Sequence, residues 1–342
     1  MKLLKRSIYL AVLCFLTAGF ATSGFAQTKT DVIKTYNKAF DYAKNNNYDQ
    51  AIATYIQTIQ MADKVGAEAA DIKQKAQDKL APLHFQQAAD LYRTFKKKPT
   101  VENIDAVIDG FEQTHKVAQQ YNDEDIASRS QSFIPKLYYT KSIILFKQSK
   151  YQESLSALDE AINLSPNYSK AYYQKGIVLK NMDKNNLEKT IDMFDKAVEV
   201  AKKTNDTQIA RKATEAARDE LVYQGAQKTE GKDYKEAVPL LERALKYDSE
   251  SASAYYRLSE AFNKMAMWDK AINNANMALK YEKGGKTDRA KIYFELGTAL
   301  KNKGNKSAAC DAFSQAAYGS FKAPAEHQME YELKCKTLSQ SN

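Results

Sequence analysis

YYTKSIILFKQSKYQESLSALDEAINLSP, residues 138–166, opens with two aromatics, places the small residue Ser142 four positions after the first, and runs on into a second amphipathic stretch. The same design returns in YYQKGIVLKNMDKNNLEKTIDMFDKAVEV, residues 172–200, and in YYRLSEAFNKMAMWDKAINNANMALKYE, residues 255–282. Ser142 and Gly176 lie 34 residues apart, as do Gly225 and Ser259. Each period reads as two antiparallel amphipathic helices, because its apolar residues recur at helical rather than alternating spacing. Two such helices approach closely only where side chains are small, which gives the recurring small residue a physical reason.

A helical hairpin repeated every 34 residues resembles the tetratricopeptide repeat family, over nearly all of the chain after residue 26. The family's small residue in the first helix corresponds to Ala39, Ser142, Gly176, Gly225, Ser259 and Gly297. Its small residue early in the second helix corresponds to Ala51, Ser154, Thr190, Ala237, Ala271 and Ala309. Four positions further on, Tyr55, Leu158, Phe194, Leu241 and Phe313 supply large core partners. The resemblance implies an all-α, right-handed superhelical solenoid of about seven antiparallel hairpins, some degenerate or lengthened, closed by a capping helix near residues 325–338.

Composition agrees. The 342 residues include only 12 glycines and 6 prolines, about 5 % against roughly 12 % in average usage, too few for a sandwich, barrel or dinucleotide-binding fold. At the start, Lys2, Lys5 and Arg6 precede an apolar run over residues 8–20, and Gly24-Phe25-Ala26 offers a small-x-small cleavage site. This reads as a signal peptide removed after residue 26, with the mature protein periplasmic or secreted and without a stable membrane span. Its removal lowers the formal charge of +9 by three, leaving a mild excess that does not point to nucleic acid.

DQAIATYIQTIQMADK (residues 49–64) aligns with DAVIDGFEQTHKVAQQ (105–120), which reveals a degenerate second repeat with its first helix expected over 80–95. Two further polar stretches, 118–131 and 201–214, align with each other and place Asn122-Asp123 over Asn205-Asp206, predicting long helices on both sides of an Asn-Asp turn. Asp233-Tyr234-Lys235-Glu236 resembles a capping box. The expected organisation is a signal peptide (1–26), degenerate or lengthened hairpins (27–130), regular repeats (131–322), and a capping helix with tail (323–342).

His84, His115 and His327 are dispersed, without metal-ligand spacing, and no phosphate loop, nucleophile elbow or zinc pattern is present. The reading is a non-enzyme with no cofactor and no metal. Cys310 and Cys335 form a candidate disulfide that would staple the cap to the last hairpin. The resemblance further implies that the first helices line a groove and that the residue three before the small position faces it: Tyr36, Tyr139, Tyr173, Val222, Tyr256 and Phe294. Lys170, Lys180, Arg257, Lys264, Lys291 and Lys301 flank this ladder. Aromatic area with lysine steering suits a protein or extended peptide carrying apolar and acidic groups. Family members that clamp a carboxyl terminus use a Lys/Asn/Arg set, whereas the matching positions here hold Tyr139, Ile143, Gln174, Asp219 and Tyr223. The expected function is an exported scaffold in a cell-envelope assembly, with glycan binding on the tyrosine rings as the alternative.

Overall fold

The computed structural model describes residues 27–183 and 186–335, so the expected signal peptide lies outside the described residues. Within them the chain is helical, without a strand. It divides into two compact units, Met1–Ile134 and Pro135–Asn342.

In the first unit, α1 (Lys29–Lys44) pairs with α2 (Tyr48–Val65), and α3 (Ala70–Lys97) with α4 (Val101–Gln120). A capping box starts α1, because Thr28 accepts from the Asp31 N–H while the Asp31 carboxylate accepts from the Thr28 N–H. Ala39, Ala51, Tyr55, Ala76 and Leu80 lie in one buried cluster. The first helix expected over 80–95 begins ten residues earlier, at Ala70. Pro82 in its interior lacks the N–H of a helical bond, but the buried stripe Ile72, Ala76, Leu80 and Leu83 continues through it, so burial outweighs the missing bond. After α4, Asn122 takes φ 59°, the Asp123 N–H donates to the Ala118 carbonyl, and the Asp123 carboxylate accepts from the Ile126 N–H at the start of α5 (Glu124–Lys147).

The second unit continues from Pro135 in α5 through α6 (Tyr151–Leu164), α7 (Ser169–Met182), α8 (Leu187–Lys203), α9 (Thr207–Glu230), α10 (Tyr234–Tyr247), α11 (Ala252–Lys264), α12 (Trp268–Tyr281), α13 (Lys286–Asn302) and α14 (Lys306–Ala316). Odd-numbered helices are first helices, and even-numbered ones are second helices. The Asn-Asp turn repeats after α8, with Asn205 at φ 57° and the Asp206 carboxylate accepting from the Ile209 N–H. Small and large residues meet across the hairpins. A Cβ added at Gly176 would sit 2.6 Å from the Phe194 ring, one at Gly225 2.6 Å from Leu241, and one at Gly297 2.9 Å from Phe313. A glycine inside a helix costs about 1 kcal/mol, while burying one Phe or Leu side chain contributes about 1.5–3 kcal/mol, so the exchange favours the close hairpin. Where serine occupies one of the small positions, a hydrogen bond ties the hairpin: Ser154 donates to the Ser142 carbonyl, and Ser259 to the Ala271 carbonyl, each at 2.9 Å.

Two sequence expectations change here. The capping box at residues 233–236 does not form, since Asp233 makes no side-chain cap bond. Its carboxylate and that of Glu236 turn instead to the Lys228 ammonium. The C-terminal cap is also shorter and earlier than residues 325–338: α15 (Lys322–His327) passes directly into a π-turn, Gln328–Glu332. The remainder of the expected cap, from residue 336 on, lies outside the described residues.

Candidate functional site

The first helices carry the residues that the 34-residue period picks out. In the first unit, Tyr36 stands edge-on to Tyr55 with ring centroids 5.4 Å apart. Ile33 and Phe40, one turn to either side on α1, remain 36 % and 52 % exposed. Ile33 and Phe40 fall outside the 34-residue ladder, although the 33–36–40 spacing marks one helix face.

In the second unit the ladder rings act as struts between helices. Tyr139 meets Tyr168, the residue that caps α7, at 5.4 Å. Tyr173 lies 5.8 Å from Phe194, and Phe294 lies 5.4 Å from both Phe313 and Phe321. Val222, half-buried, joins the apolar clusters on either side of α9. Tyr256 differs, because the Arg257 guanidinium and the Lys291 ammonium approach its ring at 5.2 and 5.3 Å. Burial, reinforced by the Glu260 charge, pushes its hydroxyl up to about 12. Burial likewise raises Tyr139, with Tyr173 adding to the effect.

The cations fall into two groups. Lys180 reaches from α7 to Glu220 on α9 at 2.8 Å. Lys301 reaches from α13 to the cap, 2.6 Å from the Gln328 side-chain oxygen and 3.9 Å from the Glu332 carboxylate. Asn263, from α11, donates to the Glu295 carboxylate on α13 at 2.7 Å. Lys180, Asn263 and Lys301 each stand four residues after the small position of their helix, so one register supplies a polar latch to the next first helix. Glu220 is buried at the position where the neighbouring repeats have Ala171, Ala254 and Ile292. Its Lys180 partner matters because a charge left unpaired in that position would be costly. Arg257 bonds Glu260 at 2.8 Å. Sequence reasoning assigned Lys180, Arg257 and Lys301 to a partner; the structure places each in a contact within the chain. Lys170 and Lys264 are exposed and Lys291 is half-buried beside Tyr256. Glu220, Asn263 and Glu295 escaped the sequence reading because polar residues on helices look solvent-facing until the repeats are superimposed. Burial raises the Glu295 carboxyl above its ordinary range, against the opposing hydrogen bond from Asn263.

Among the small positions of the second helices, Ala237, Ala271 and Ala309 are fully buried at the hairpin crossings. Cys310 on α14 and Cys335 after the π-turn are joined by a disulfide, with Cα atoms 5.9 Å apart. The histidines stay apart. His84 is pushed down by burial despite the charge of Asp49, the His115 Nδ1 lies 2.9 Å from the Ala127 carbonyl, and His327 packs on Tyr331. Among the described residues no group of His, Cys, Asp or Glu could hold a metal ion, and no helix is long and apolar enough to cross a membrane.

Comparison with known proteins finds partial similarities. Solved structures with similarity include MamA from Desulfovibrio magneticus RS-1, at 22 % identity over 59 % of this chain and 97 % of that one, TM-score 0.36. YrrB, a TPR protein with an unusual peptide-binding site, is 19 % identical over 62 % of this chain and 94 % of its own, TM-score 0.34. A tetratricopeptide repeat protein from Parabacteroides merdae is 11 % identical over 89 % and 99 % of the two chains, TM-score 0.29. No curated protein matches the sequence. Family models of the tetratricopeptide repeat match residues 135–168, 229–284 and 290–318, all within the second unit and each on a hairpin with the small-residue crossing described above. Over these residues the chain carries tetratricopeptide repeats.

Proposed function

We propose that the protein is a non-catalytic scaffold that is exported and holds a protein or extended peptide on the first-helix face of its second unit, in an assembly of the cell envelope. Repeat arrays offer long surfaces rather than enclosed, water-limited sites. The observation that carries the reading is the α11–α13 face, where Tyr256 lies between Arg257 and Lys291 with exposed Lys264 about two turns further along α11. Aromatic area next to cations suits an extended partner with apolar and acidic side chains. The other ladder rings, Tyr139, Tyr173 and Phe294, are engaged as inter-helix struts, which gives stacking on sugar rings no comparable support.

The test is capture of partners from an envelope extract by the mature protein and by a variant carrying Lys264→Ala and Lys291→Ala, both checked for native helicity by circular dichroism. The proposal expects protein partners that the variant loses. Equal capture by the variant, or retention only on purified cell-wall glycan, would overturn it. Export is read separately: intact mass of the protein isolated from its cells should correspond to a chain starting at Gln27.

A further inference from the structure

The cap is built as an unfinished first helix. Phe321 caps α15 as Tyr168 caps α7. Each ring lies 5.4 Å from the ladder aromatic of the preceding first helix, Phe294 in one case and Tyr139 in the other. Counting eight residues on from Tyr168 reaches Gly176, the close crossing, whereas eight on from Phe321 reaches Met329. A methionine cannot permit that approach, and the helix gives way to the π-turn at this point. Two ladder and latch residues, Phe294 and Lys301, are thus occupied by the chain's own C-terminal segment through Phe321, Gln328 and Glu332. The segment also covers the Phe313 cluster with Ala325, Met329 and Leu333. With α15 only six residues long, the covalent tie from Cys335 to Cys310 is the strongest constraint holding it there.

We infer that the cap is a redox-latched occupant of the last first-helix seat, released by a dithiol reductant. In the release step a thiolate of the dithiol attacks one sulfur of the Cys310–Cys335 bond, forming a mixed disulfide and freeing the other cysteine. The second thiol of the reductant, as its thiolate, displaces the remaining cysteine. The reductant leaves as a disulfide, and two electrons and two protons reside on Cys310 and Cys335 as thiols. Both cysteines are half-buried rather than enclosed in the core. Opening of the segment after reduction bares Phe294, Lys301 and Phe313, a seat whose own occupant shows what it accepts: an aromatic side chain followed by an amide or carboxylate. That use of the seat rests on the first-helix face being the binding surface; the latch itself does not.

Hydrogen exchange read by mass spectrometry on the full chain tests the latch without any partner. The bond closes a separation of 25 residues, and its loss is expected to raise the opening equilibrium of residues 319–335 on the order of a hundredfold. Exchange in α5 to α10 should stay unchanged. Cys335→Ser without reductant should reproduce the reduced pattern. Lys301→Met should add further opening in the reduced protein and little in the oxidised one, where the covalent tie dominates. Equal exchange of residues 319–335 in oxidised and reduced protein would overturn the latch and leave the binding proposal standing. Titration of the Cys335→Ser protein with a labelled peptide of sequence GSFKAPAEHQMEYEL then tests the seat. Binding at least tenfold tighter than to the oxidised wild type is expected, and equal binding would refute an openable seat.

Discussion

Two kinds of hairpin in the second unit solve the same packing problem differently. In α7/α8, α9/α10 and α13/α14 a glycine on the first helix receives a large side chain, Phe194, Leu241 or Phe313. In α11/α12 the crossing residue is Ser259 and the residue four after Ala271 is Ala275, both fully buried. There a hydrogen bond from the Ser259 hydroxyl to the Ala271 carbonyl ties the helices. The α5/α6 hairpin lies between the two, with Leu158 buried and Ser154 donating to the Ser142 carbonyl. Close approach is the shared requirement; van der Waals filling and a buried hydrogen bond are alternative ways to meet it. The contrast predicts that the glycine hairpins are sensitive to volume and the serine hairpin to polarity.

The largest effect should follow from emptying a glycine hairpin. Phe194→Ala should destabilise by about 3–5 kcal/mol in chemical denaturation, with amide protection lost first in α7 and α8, because each repeat leans mainly on its neighbours. Overfilling the same crossing comes next. Gly176→Ala puts a methyl 2.6 Å from the Phe194 ring and should cost about 1–3 kcal/mol, recovered in part when Phe194→Leu is added. At the serine hairpin, Ser259→Ala should cost only about 0.5–1.5 kcal/mol, the worth of one hydrogen bond. A larger loss there than for Gly176→Ala would break the contrast.

A smaller effect tests the latch register. The Glu295 carboxyl is raised by burial, so the folded state favours its protonated form and ionisation weakens folding as pH rises through the raised value. Glu295→Gln keeps an acceptor for Asn263 and should raise the thermal midpoint at pH 7. The gain should vanish below about pH 4.3, the ordinary glutamate range, where the wild-type side chain is already neutral. Smallest of all, Ala266 holds φ 56° in the α11/α12 turn, and Ala266→Gly should stabilise by about 0.5 kcal/mol, the left-handed strain relieved less the added chain entropy.

The repeat was legible because its determinants are local. Gly176, Gly225 and Gly297 stand at one spacing, Phe194, Leu241 and Phe313 answer them, and the Asn-Asp turns announce themselves by residue type. What escaped depends on contacts between helices distant in sequence. Nothing near Pro82 reveals that a buried stripe carries α3 back to Ala70. Asp233 and Glu236 have the spacing of a capping box, but Lys228 on the preceding helix takes both carboxylates. Lys180 and Lys301 resemble solvated groove lysines until Glu220 and Glu332 are seen opposite them. The cap was readable as an idea, and Met329 at the eighth position explains why it ends so soon.

The claim that the first-helix face is the working surface has one direct test. A photo-crosslinking residue placed singly at Lys170, Lys264 or Lys291 on first helices, and at Asp192, Glu242 or Asn276 on exposed parts of second helices, is activated in the cells that make the protein. The account predicts a shared protein adduct from the first-helix positions and none from the second-helix ones. Adducts formed equally well, or better, from the second helices would contradict it.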